Sequence, residues 1–132
     1  MMDTGLLIIR LIIGLTFAAH GTQKLFGWFG GHGIAGTGGW FESIGMKPGK
    51  ALAITAGLAE LIGGLLFAGG AFLWIAAILI IGSMLVAIVK VHGVNGYWVT
   101  QNGYEYNMAL IVIALGVAMI GAGDYSLAAL IG

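Results

Sequence analysis

The residues LIGGLLFAGGAFLWIAAILIIGSMLVAIV, Leu61 to Val89, hold no charged side chain. A helix crosses the hydrocarbon core of a bilayer with about 20 residues, so this stretch is too long for one span. It is interrupted at Gly69-Gly70. Two glycines reach the positive-φ conformations that close a tight turn after a helix. The stretch therefore reads as the end of one span, a hairpin, and most of the next. The two helices should be antiparallel neighbours.

Working outward, apolar segments of spanning length predict four helices, at about 4–26, 50–68, 71–91 and 106–120. The last is the shortest, and GAGDYSLAALIG behind it can continue as an interfacial turn. The N-terminus MMDTGLLIIR has an acid where a signal peptide needs a basic region, so the first segment is expected to be a permanent helix. The expected fold class is all-α, an integral-membrane four-helix bundle forming a single domain over residues 1–132. Two long loops lie on the same side, because successive spans alternate in direction.

Composition agrees. The chain is 60% hydrophobic and 8% charged, with mean hydropathy +1.06. A soluble domain carries roughly 25% charged residues, so lipid must be the solvent for most of this surface. Five basic and five acidic residues leave no net charge and no basic patch for nucleic acid. There is no cysteine, which excludes a dithiol mechanism or thiolate metal site carried by this chain.

The long connections are rich in glycine and aromatics. GWFGGHGIAGTGG, Gly27–Gly39, follows no predicted strand and lacks a P-loop Lys-Ser/Thr ending, so it reads as a loop and not a phosphate cradle. GGWFESIGMKPG, Gly38–Gly49, looks amphipathic and should lie at the interface or dip into the bundle mouth. HGVNGYWVTQNGYEY, His92–Tyr106, carries the second cluster of aromatics, which favour the headgroup level. Lys24, Lys47, Lys50 and Lys90 fall on the long-loop side and Arg10 nearer the other. The positive-inside rule then places the long loops in the cytoplasm.

An ionisable side chain at the centre of a span costs about 2.5–3.5 kcal/mol on insertion scales, so each one needs a partner, water or a ligand. At 100° per residue, Arg10, Gly14, Phe17, Gly21 and Lys24 fall within about 40° of one line on the first helix, with His20 at its edge. This stripe should face protein, since glycines let a neighbouring helix approach. On the second helix Ala53, Ala56, Gly57, Glu60, Gly63, Gly64 and Phe67 form the matching face. On the third, Ser83, Ala87 and Lys90 share a face. On the fourth, Glu105, Met108, Ala109, Val112 and Gly116 fall together. Counting residues from the long-loop surface leaves Arg10 and Glu60 about 9 Å apart in depth, close enough for two long side chains to pair.

Two readings stand for each polar residue. Arg10–Glu60 is either an ion pair that fixes packing or the floor of a ligand site. Lys24 and Lys90 either snorkel to the headgroups or face a ligand. His20 is a hydrogen-bonded core histidine or a donor. Glu105 is a helix cap or a proton relay. A metal site from His20, His92, Glu60 and Glu105 finds no HxxH, HExxH or ExxH spacing to support it.

RLIIGLTFAAHGTQKLFG (Arg10–Gly27), AELIGGLLFAGG (Ala59–Gly70) and NGYEYNMALIVIALGVAMIGAGDYSL (Asn102–Leu127) together resemble the DoxX family, in order and over nearly the whole chain. The resemblance implies a multi-pass protein of the bacterial or archaeal inner membrane. It implies a quinone- or small-lipophile-binding subunit of a membrane oxidoreductase complex, linked to sulfur, thiol or oxidative-stress metabolism. Arg10, His20, Lys24, Glu60 and Glu105 match the family's polar motif positions. Against a quinone, His20 and Lys24 would donate hydrogen bonds, and Glu60 or Glu105 would relay protons. Phe17, Trp28, Trp40 and Trp98 would supply apolar walls. No metal, flavin or haem motif is present, so any electrons would be carried by a partner chain or a bound quinone. The expected partners are the bilayer, a redox protein and a second copy of the chain. The alternative is a non-enzymatic membrane module, either an assembly or scaffold subunit or a small-solute transporter.

Overall fold

The break at Gly69-Gly70 is a turn. A computed structural model describes residues 1–131; Gly132, the last residue of the expected domain, lies outside them. Helix α3, Gly49–Gly69, is closed by Gly70 in the left-handed conformation (φ 69°), and α4 begins at Leu73. Gly70 satisfies two conditions at once. Its φ suits glycine, and a Cβ there would run into the Arg10 guanidinium and Ser126.

The described residues are helical and contain no strand. Helix α1 is Met2–Phe26, stopped by Gly27 (φ 76°). Helix α2 is Gly33–Ser43, and α4, Leu73–Ala87, continues through a wide π-helical turn at Ile88–His92. Helix α5 is Glu105–Ile120 and the short α6 is Leu127–Ile131. By length and composition Met2–Phe26, Gly49–Gly69 and Leu73–Asn95 can cross a membrane, whereas the apolar Glu105–Ile120 is shorter.

Helix α1 lies antiparallel along α3, and glycines set the distance. A Cβ on Gly14 would sit 2.6 Å from the Gly64 oxygen, and one on Gly21 would sit 2.6 Å from the Gly57 oxygen. Backbone packs on backbone, as small residues allow in lipid. The buried residues of α1, Leu6, Arg10, Gly14, Phe17, Ala18, Gly21 and Thr22, follow the stripe expected from the sequence. On α3 the expected face is buried at Ala53, Gly57, Glu60, Gly63, Gly64 and Phe67, with Ala56 half-buried. Helix α3 packs in turn on α4, and α4 on α5.

One segment differs from expectation. The glycine-rich region expected as a loop is helical from Gly33 onward. Helix α2 covers the start of α3, where Gly38 approaches the backbone of Gly49 and Lys50. The Glu42 carboxylate accepts the Gly49 N–H at 3.0 Å, filling one of the donors a helix start leaves open. Glycine lowers helix propensity but permits this contact, and the contact prevails. On α5 the buried residues are Asn107, Leu110, Ala114, Val117 and Ala118. Met108, Ala109 and Val112, which share a face with Glu105 by helical period, are exposed. Glu105 itself accepts the Val99 N–H at 3.0 Å and so closes a loop.

Candidate functional site: a polar-walled cavity in the helix bundle

Lys24 sits one helical turn beyond His20 on α1, and Glu60 lies on the facing helix at about the level of His20. Side chains on a helix lean towards its N-terminus. Because α1 and α3 are antiparallel, Lys24 leans down and Glu60 leans up, and they converge. Lys24 Nζ lies 2.6 Å from Glu60 Oε1; the lysine side chain is 25% exposed and the glutamate 7%. An ion pair neutralises two charges that would each be costly in a span.

The Arg10–Glu60 pair expected from the sequence does not form, for the same geometric reason. Arg10 lies opposite Ala68 and Gly70, about two and a half turns from Glu60, and its side chain leans further away. The guanidinium is fully buried. It donates to the carbonyl oxygens of Ala68, at 3.5 Å, and Tyr125. Arg10 therefore holds the C-terminal segment against the α3–α4 turn. The Asp3 carboxylate supports the same segment by accepting the Asp124 N–H at 3.1 Å.

Around Lys24–Glu60 lies a cavity of about 600 Å³. Of the residues singled out from sequence, it is lined by Phe17, His20, Lys24, Trp40 and Glu60, and also by Ser83, Lys90 and His92. Arg10, Glu105, Trp28 and Trp98 do not line it. Trp28 stacks on Phe26 at 5.1 Å, and Trp98 meets Tyr97 edge-on at 5.1 Å. Helix α2 contributes Phe41 beside Trp40, so the segment expected to dip into the mouth forms part of its wall. A second cavity of about 620 Å³ shares Lys24, Trp40 and Phe41 with the first and is otherwise bordered by Gln23, His32, Thr37 and loop glycines.

The polar groups have defined roles. His20 Nδ1 is 3.0 Å from Gln23 Oε1, and Gln23 Nε2 donates to the Phe29 carbonyl at 3.2 Å. That arrangement makes Nδ1 the donor and leaves Nε2 as an acceptor in the neutral ring. His92 Nδ1 lies 2.9 Å from the Asn102 carbonyl oxygen, tying the π-helical turn to the following loop. Asn107, not singled out from the sequence, is buried in the wall and donates to Met84 Sδ at 3.5 Å. A lone amide within NMALIVIAL was the available signal, since a buried amide needs partners that lipid cannot supply. Among the described residues no group of three or more His, Cys, Asp or Glu could hold a metal ion.

Apolar helices around a cavity with an ion pair, an imidazole and an amide on its wall define an α-helical membrane protein with a largely apolar pocket that carries a few polar groups. The DoxX family model matches residues 5–93, and the chain belongs to the DoxX family. It is 29% identical over 120 residues to a protein of Bacillus subtilis (strain 168) named "Putative oxidoreductase CatD", covering 91% of this chain and 81% of that protein. No solved structure matches the chain at a significant level.

Proposed function

We propose that this DoxX protein is a multi-pass inner-membrane subunit that binds a quinone-type lipophile in the α1–α3–α4–α5 cavity and serves a membrane oxidoreductase complex. In this reading α5 is the fourth span and both long connections lie at one membrane surface. The reading is supported by Trp40 of one connection lining the same cavity as His92 and Tyr106 beside the other. The observation that carries it is the Lys24–Glu60 pair on the wall of a cavity of about 600 Å³ that is otherwise largely apolar. Small-molecule sites typically measure about 300–1,000 Å³, with a few polar groups to fix orientation.

A quinone offers a flat ring and two carbonyl oxygens. The Lys24 ammonium donates a hydrogen bond to one carbonyl, and Phe17, Trp40 and Phe41 enclose the ring. Glu60, held by Lys24, and His20 Nε2 would each take up a proton from water on the loop side and pass it to a quinone oxygen. Conversion of quinone to quinol takes two electrons and two protons. The electrons would come from the redox centre of a partner subunit. The name of the Bacillus relative and the family membership favour an oxidoreductase setting.

The test is organic extraction of the purified protein with mass spectrometry, followed by titration with a decyl-tailed benzoquinone in detergent. Bound quinone is expected, with affinity falling at least tenfold in Glu60→Gln and in Lys24→Ala. Undiminished binding in both variants removes the assigned site.

A further inference from the structure

Part of the cavity lining lies away from the loops and is exposed on the outer surface of the α3–α4 pair. Thr55 on α3 and Ile78, Gly82 and Val86 on α4 make up this part. Three residues before Gly82 the two helices are in contact; a Cβ on Gly63 would sit 3.0 Å from the Leu79 Cβ. Towards the Gly49 end, α3 presents Ala56 and Ala59 to the cavity and α4 presents Gly82. Nothing lies within 4 Å of a Cβ built on Gly82. Gly82 is nine residues past Leu73, about 14 Å along the helix, and so within hydrocarbon depth of the Leu73–Asn95 span.

We infer that the α3–α4 cleft at Thr55, Ala59 and Gly82 is a lateral portal. A tailed lipophile passes through it between the bilayer and the cavity, and the missing side chain of Gly82 sets its width. This inference rests on the ligand-binding reading above. The chemistry of the two routes differs. The loop-side mouth carries Lys90, His92 and Trp40, so a hydrocarbon tail entering there would have to pass charged and hydrogen-bonding groups. The exposed cleft residues Thr55, Ile78, Gly82 and Val86 carry no charge. A headgroup can turn inward there to Lys24–Glu60 while its tail stays in lipid, so the tail never leaves its preferred solvent.

The full chain in lipid nanodiscs tests this with two probes, a decyl-tailed benzoquinone and a tail-less tetramethylbenzoquinone. Uptake is followed by the quenching of Trp40 fluorescence, taken as the difference from Trp40→Phe. Gly82→Leu places a side chain in the cleft, where no packed atom opposes it and helix propensity rises. Gly116→Leu, at a glycine on α5 with equally open surroundings, is the control. The ratio of tailed to tail-less uptake rates is expected to fall at least tenfold in Gly82→Leu and to hold in Gly116→Leu. An unchanged ratio in Gly82→Leu overturns the portal while leaving the cavity reading in place. So does equal slowing of both probes, which reports a general distortion. Absence of binding of either probe to the wild-type chain overturns the cavity reading and the portal with it.

Discussion

Helices α1 and α3 meet backbone to backbone through Gly14, Gly21, Gly57 and Gly64, whereas α4 and α5 pack within an apolar core that includes Ala76, Ile80, Met84, Leu110 and Ala114. The first interface brings an ion pair to the cavity, and the second an amide facing a thioether. In water, hydrophobicity marks the buried side of a helix. In lipid both sides are apolar, so only small and polar residues distinguish inside from outside. The α1–α3 half has many such markers; the α4–α5 half has few, and one of them, Glu105, serves a loop.

The sharpest way to break this contrast is at the glycines. Gly21→Leu forces a side chain into the Gly57 carbonyl and the Leu61 N–H. It should destabilise the fold by about 3 kcal/mol or more, the upper range for overpacking, and appear as loss of a monodisperse peak after extraction. Gly116→Leu meets open space and should leave the melting temperature unchanged or slightly raised. Equal damage from both would show that α1–α3 is no more tightly specified than α5.

The ion pair comes next. Glu60 is the more buried partner, whereas Lys24 is long and partly exposed and can swing towards the loop-side surface. Lys24→Met should therefore cost more than Glu60→Gln, up to about 3–5 kcal/mol, the usual penalty for stranding a buried charge. The double variant should recover part of that loss. A thermal-denaturation cycle measures the coupling, and additive losses would show that the pair contributes no joint stability.

The smallest effects separate the two polar residues of α5. Asn107→Leu should weaken quinone retention while changing stability by about 1 kcal/mol, the net worth of one hydrogen bond. Glu105→Gln should leave retention intact and speed amide exchange at Val99. The reverse pattern would return Glu105 to the cavity wall.

Much of the fold was legible in the sequence. The Gly69-Gly70 hairpin and the buried stripes of α1 and α3 follow from helical period, glycine conformation and the cost of charge in lipid. His20, Lys24 and Glu60 stood out for the same reason. The partner of Glu60 was not legible, because it depends on a shift of about one turn between two antiparallel helices. Residue counting places Glu60 level with Phe17, whereas the glycine contacts place it nearer His20.

The inner face of α5 also needed the assembled structure, since Asn107 stands only two residues from Glu105 on an otherwise largely apolar helix, and the sequence does not say which of the two turns inward. The helix in Gly33–Ser43 arises from a contact with the start of α3 that local propensity opposes. Composition and periodicity alone therefore determined that this is a helical membrane protein, and which charges its spans must accommodate. Tertiary structure decided how those charges are shared: Lys24 takes Glu60 and faces the cavity, and Arg10 takes two carbonyls and holds the C-terminal segment. That choice depends on axial register and on the direction in which side chains lean, and both are properties of a pair of helices.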